Sequence, residues 1–196
     1  GPFFRTFRAD ELATRSFKLT AATTGEAAVP TRAVVTTSGH PMVQEGAADS
    51  GYAVTRTFYT PDGKKADLAR IRQTDRLVVV LKVVEPKAET ARIVVTDRLP
   101  AGFEIADPKL VAGGDTEAFA WLAEAPEAKT TEFRDDRFVA AFDRSPDQRA
   151  TFEVAYAVRV VTPGRYVLPP ATVEDMYRPE RFGRTAFGTI DVAPRK

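Results

Sequence analysis

Apolar and polar residues alternate through most of this chain. In "TFEVAYAVRVV", Phe152, Val154, Tyr156, Val158 and Val160 share one face, while Thr151, Glu153, Ala155, Ala157 and Arg159 form a smaller, more polar one. Period-two alternation of this kind predicts a strand buried on one side. "RLVVVLKVV" gathers Leu77, Val79, Leu81 and Val83 on one face, but Val78, Val80 and Val84 keep the other apolar too. A central place in a sheet is therefore expected for it. "EPKAET" reads as a turn into "ARIVVTDRLP", which predicts a hairpin between these two strands. Further strands are expected in "SFKLTA", "TRAVVTT", "YAVTRTFYT", "TEFR", "RFVAAFD", "RYVLPPATVED" and "GTIDVA".

One segment has a helical pattern. In "DTEAFAWLAEA", Asp115 is placed to cap, and Phe119 and Leu122 fall on one face with Trp121 beside them. Short strands divided by Pro- and Gly-rich turns, with one helical stretch among them, predict an all-β antiparallel sandwich with one short helix. The stretch from Thr37 to Gly51 is small, polar and Gly-rich, and it reads as a linker. What precedes it is too short for a stable domain by itself. It is expected to complete a sheet of a preceding domain or to add strands to the sandwich.

Composition narrows the functions open to such a sandwich. Basic and acidic residues number 28 and 27 and are mixed along the chain, which leaves no basic stripe for nucleic acid or an anionic membrane. No apolar run approaches the roughly 20 residues of a membrane helix. The chain has no cysteine and one histidine, which excludes disulfides, thiol nucleophiles and the usual zinc sites within it. Gly1-Pro2 resembles the scar left when a viral 3C-type protease removes a tag, so an excised piece of a longer protein is expected.

Candidate chemistry is sparse. His40 sits in a Gly-His-Pro turn with no patterned nucleophile to serve, and a solvated loop histidine is the plainer reading. Asp135 and Asp136 in "FRDDRF" offer adjacent carboxylates for a cation or acid/base work. A tight hairpin turn, in which Asp tolerates unusual backbone angles, explains them more simply. Gly113-Gly114 lacks the further glycines of a phosphate cradle, and Lys64-Lys65 belongs to a Pro-Asp-Gly turn. Neither cofactor nor metal is expected.

Near the end of the chain, "VEDMYRPERFGRT" sets Met176 and Tyr177 side by side in a polar, Pro-containing loop. Two large apolar side chains there either fold back onto their own sandwich or serve a surface elsewhere. Pro179 is expected to extend Arg178, to help end the preceding strand and to stiffen the loop.

Several segments in series, "DRLVVVLKV", "VVTDRLPAGFEI", "FRDDRFVAAFD", "AYAVRVVTPGRYVLPPATVEDMYRPE" and "GRTAFGTIDV", resemble the C-terminal end of bacterial alpha-2-macroglobulins. The resemblance runs from about Gly51 to Val192, and the residues up to His40 look like the tail of the preceding CUB-like region. The implied organisation is a tag scar at 1–2, the end of the CUB-like region and linker at 3–45, and a macroglobulin-like (fibronectin type III-like) sandwich at 46–196.

Family members are exported protease traps. A protease cuts their bait region, and an internal thioester between a cysteine and a glutamine side chain is exposed and acylates the attacker. This chain holds neither that cysteine nor a recognisable bait region. The resemblance therefore implies a non-catalytic, guarding domain, with Met176 and Tyr177 packed as a lid over the thioester of another domain of the same parent chain. It further implies a periplasmic parent and leaves lipid anchoring to the inner membrane open. Target proteases would be partners through the parent, and a cell-wall synthase of the penicillin-binding class is a further suggested partner. The competing readings are an exported β-sandwich for adhesion or carbohydrate recognition, and an enzyme.

Overall fold

The register of two long strands sets the architecture. Leu77 lies opposite Val158, Val79 opposite Tyr156, Leu81 opposite Val154 and Val83 opposite Phe152. Both apolar stripes thus point to the same side and demand a second layer to cover them. In the computed structural model the described residues are 6, 43–44, 46–87, 89–106, 121 and 128–195. Contacts divide the chain into two units, Gly1–Gln44 and Glu45–Lys196, and the second holds the sandwich. The predicted strands "SFKLTA" and "TRAVVTT", His40, Gly113-Gly114 and all of the predicted helix but Trp121 lie outside the described residues.

The strands are β1 (Ala48–Ser50), β2 (Ala53–Tyr59), β3 (Arg76–Val84), β4 (Ala91–Arg98), β5 (Phe103–Ile105), β6 (Thr130–Arg134), β7 (Arg137–Arg144), β8 (Thr151–Val160), β9 (Gly164–Leu168), β10 (Ala171–Asp175), β11 (Phe182–Arg184) and β12 (Gly188–Val192). One sheet runs β2-β3-β8-β5, so β3 has neighbours on both edges, as its two apolar faces predict. The other runs β1-β11-β10-β4-β7-β6, and β9 and β12 form a separate ribbon. Every pairing between these strands is antiparallel.

The core lies between the two sheets. Val54 and Phe58 join the inward residues of β3 and β8, and Ile93, Val95, Phe138, Ala140, Phe142, Ala171 and Val173 meet them from the opposite layer. Large faces small where strands pair, as with Val95 opposite Ala140. Aromatic rings pin the layers to each other. Phe138 stacks on Tyr156 with centroids 4.4 Å apart, and Phe142 tilts against Phe152 at 5.0 Å. On the outer face of β3, Val78 and Val80 pack with Ala155 under Tyr59 and Trp121. Trp121 thus has a packing role, although outside the main core.

Some inward positions carry charges, and each of these is paired. Arg56 donates to Asp97 at 2.5 Å and to the carbonyl of Pro169 at 2.8 Å, while the Tyr156 hydroxyl donates to the other Asp97 oxygen at 2.7 Å. Burial pushes the Asp97 carboxyl up, and the charge of Arg56 and the Tyr156 hydrogen bond only partly restrain it. Arg144 donates to Glu85 at 2.6 Å with both side chains 2% exposed, and its guanidinium lies 4.4 Å from the Phe152 ring centre.

Four expectations change. β3 and β4 are not a hairpin. Both edges of β3 are occupied by β2 and β8, so the chain crosses to the opposite sheet, with Glu85 buried at the start of the crossover. "RYVLPPATVED" is two strands in different sheets, because Pro169 and Pro170 lack the N–H that a continuous ladder needs. β1 forms inside the stretch read as a linker, and β5 and β11 are too short for alternation to announce. Asp135 and Asp136 do make the tight turn between β6 and β7, but with ordinary backbone angles: among the described non-Gly residues only Thr74 has positive φ.

Gly183 reflects a close approach between the layers. A Cβ there would lie 2.3 Å from the Tyr52 carbonyl oxygen, so β11 passes the backbone just before β2 only as glycine.

Asp97→Ala leaves the Arg56 guanidinium buried without its counter-charge and is expected to cost about 3–5 kcal/mol in urea unfolding. Asp191→Ala removes a highly exposed partner of Arg165 and is expected to cost less than about 1 kcal/mol in the same assay.

Candidate functional site

The Met176–Tyr177 pair sits at the start of the loop joining β10 to β11, and its geometry begins with Asp175. Ala171, Val173 and Asp175 are the inward residues of β10, so alternation turns the carboxylate into the end of the sandwich, where its side chain is 1% exposed. The Oδ1 atom accepts the backbone N–H groups of Tyr177 and Arg178 at 3.0 and 3.2 Å, and Oδ2 accepts Nε of Arg178 at 2.7 Å. A short acidic side chain thus folds the chain around itself, as Asp does in turns. Burial pushes the Asp175 carboxyl up, but the Tyr177 N–H and the Arg178 side chain more than offset it. The net shift is downward.

Backbone bonds close the loop. Arg178 N–H reaches the Asp175 carbonyl at 3.3 Å, Arg181 N–H the Arg178 carbonyl at 2.8 Å, and Asp175 N–H the Arg181 carbonyl at 3.0 Å. Met176 N–H donates to the Arg92 carbonyl at 2.8 Å and extends the pairing of β10 with β4 beyond its last rung. The Ser50 hydroxyl holds the carbonyl of Glu180 at 2.9 Å. What ends β10 is the Asp175 turn. Pro179, expected to do so, lies farther along the loop.

On this bonded backbone the two large side chains face solvent: Met176 is 57% exposed and Tyr177 70%. They do not fold into their own core. Arg92 NH1 donates to the Tyr177 hydroxyl at 3.1 Å, and its guanidinium carbon lies 5.7 Å from the ring centre. Arg92 is itself oriented by Asp143, its cross-strand neighbour, at 3.3 Å. Behind the tip, Glu89 Oε2 accepts from Arg178 at 3.2 Å and from Arg181 at 2.8 Å, while Arg178 NH2 reaches the Thr90 carbonyl at 3.0 Å. Hydrogen bonding from Arg181, and its charge, hold the Glu89 carboxyl below its usual range. The Arg181 guanidinium also lies 5.0 Å from the ring centre of fully buried Tyr52.

The other candidate residues do not gather into a reactive site. Asp135 and Asp136 occupy their hairpin turn, and Lys64 pairs with Asp62 at 2.7 Å in the exposed Pro-Asp-Gly turn. Among the described residues no group of His, Asp and Glu has the geometry to hold a metal ion. A cleft of ≈ 340 Å³ is lined by Arg56, Phe58, Leu68 and Leu168 among others, but the Arg56 terminal nitrogens are already engaged by Asp97 and Pro169.

The antiparallel sandwich is of the macroglobulin-like class, as its likeness to solved alpha-2-macroglobulins shows. Residues 51–180 match the family model described as the Bacterial Alpha-2-macroglobulin MG10 domain, and the chain belongs to the bacterial alpha-2-macroglobulin family. The alpha-2-macroglobulin of Xylella fastidiosa strain 9a5c is 35% identical over 172 residues, which are 84% of this chain and 10% of that protein. Salmonella alpha-2-macroglobulin reacted with methylamine superposes with a TM-score of 0.68 at 33% identity, over 80% of this chain and 10% of that one. Escherichia coli alpha-2-macroglobulin activated by porcine elastase gives 0.66 at 32% identity, over 80% of this chain and 14% of that one. The chain spans about a tenth of the length of the curated relatives it matches.

The lowered pKa of Asp175 gives a signed pH dependence. Its contribution to stability is present above the unfolded carboxylate value of about 3.9 and is lost as pH falls through the lower folded value. Asp175→Asn should therefore lower the melting temperature at pH 7, with the gap to wild type closing only at pH below about 3.9. Thermal melts of both chains across pH 2–7 measure it.

Proposed function

We propose that this domain is a non-catalytic guard within an exported, periplasmic bacterial protease trap. Its Met176–Tyr177 tip covers the thioester carried by another domain of the same parent chain. The supporting observation is a pairing of opposites: the backbone N–H groups of Met176 and Tyr177 are both hydrogen-bonded, while their two side chains stay exposed. Folding alone has no need for that combination. A preorganised apolar contact waiting for a partner has.

The chemistry fits. A thioester carbonyl is attacked by water and by amines, so it persists only where both are excluded. Tyr177 supplies a flat ring with a polar tip, and Met176 a flexible, polarizable filler for an irregular gap. Burying the pair contributes on the order of 2–5 kcal/mol of gross burial, partly offset by ordering. A contact of that size holds a resting state and yields when the parent rearranges after cleavage. The Salmonella relative reacted with methylamine and the Escherichia coli relative activated by porcine elastase are consistent with an amine-sensitive linkage and a protease trigger in this family. Target proteases would then meet this domain only through the parent.

The test uses the full-length parent. Tyr177→Gly should speed loss of the thioester to methylamine by about tenfold or more, the equivalent of roughly 1.4 kcal/mol of lost cover. Met176→Ala should give a smaller increase, and the 196-residue chain carrying Tyr177→Gly should melt at the wild-type temperature. Unchanged methylamine reactivity, or unfolding of the isolated chain, overturns the proposal.

A further inference from the structure

We propose that Glu89 is a positioning residue for the Met176–Tyr177 tip, acting through Arg178 and Arg181 without touching the tip itself. This rests on the lid reading and adds how the lid is aimed. Glu89 lies in the crossover from β3 to β4, far from the loop in sequence. One of its oxygens, Oε2, receives both arginines, which stand at the two sides of Pro179-Glu180. Arg178 follows Tyr177 directly, and its guanidinium spans three acceptors: Asp175 at 2.7 Å, Glu89 at 3.2 Å and the Thr90 carbonyl at 3.0 Å. The crossover therefore holds the trailing half of the loop, while the Asp175 carboxylate holds the leading half.

The magnitudes separate positioning from folding. Glu89, Arg178 and Arg181 are 35%, 36% and 20% exposed, a setting in which ion pairs add little to global stability. Glu89 lies outside the buried core behind them, where Tyr52, Val173 and Ile93 are fully buried. An anchored loop, in contrast, forgoes the ordering cost of seating its tip, and that saving appears only in the lid's contact. Arginine suits the task because its planar fork reaches several acceptors at once, which a lysine ammonium on the same stem does not reproduce.

The experiment compares Glu89→Gln, Arg178→Lys and Tyr177→Gly in the full-length parent by methylamine consumption, and in the 196-residue chain by melting temperature and amide exchange at residues 176–178. Glu89→Gln and Arg178→Lys are expected to speed methylamine consumption by about two- to tenfold, the scale of one or two half-exposed ion pairs, and to loosen those amides. The melting temperature of Glu89→Gln should stay within about 2 °C of wild type, whereas Arg178→Lys also removes a donor to the 1% exposed Asp175 carboxylate and should melt lower. Wild-type methylamine rates for Glu89→Gln beside a faster Tyr177→Gly overturn the positioning role and leave the lid standing. Wild-type rates for all three variants overturn both. A lower melting temperature for Glu89→Gln, by more than about 5 °C, makes the residue a structural one and overturns the positioning role alone.

Discussion

The Asp97 carboxylate couples the two layers of this sandwich near its middle strands. Asp97 projects inward from one sheet, and Arg56 and Tyr156 approach it from the other. The same arginine holds the carbonyl of Pro169, where the chain leaves the β9 ribbon to enter β10. Apolar burial alone resists sliding only weakly, since valines and leucines tolerate small shifts. A buried charge with two directional partners does not tolerate them, because any slip strands it in a medium that cannot solvate it. The ring stack of Phe138 on Tyr156 joins the same two layers beside it.

The sequence made one half of this picture readable. Faces were legible because alternation of large apolar residues fixes which way each side chain points, and β4 and β7 follow it closely. Partners were not. Parity says nothing about which strand lies alongside, so "EPKAET" passes equally well for a hairpin turn or for a crossing between layers. The Pro-Pro pair was a sign that "RYVLPPATVED" had to break, and strands of three residues, such as β1 and β11, fall below any periodic signal.

The candidate site divides in the same way. Met176 and Tyr177 stood out because bulky apolar groups are unexpected in a polar loop. Their bracing did not, because Glu89 and the two arginines are separated by about ninety positions and each looks like an ordinary solvated charge alone. Asp175 could have been found. It continues the inward parity of Ala171 and Val173, and a carboxylate on the apolar stripe of a strand asks for donors nearby. Those donors are the next residues of the chain.

The hairpin that ends in this loop also rests on an atom that is missing. Where β11 crosses the Tyr52 carbonyl, hydrogen takes the place of a side chain at Gly183, and the two backbones come into near contact. Any larger group would act as a shim under the arm of a lever, tilting the hairpin outward from its base. The height at which the far end stands above the sheet is thus set several residues away from it, at the pivot.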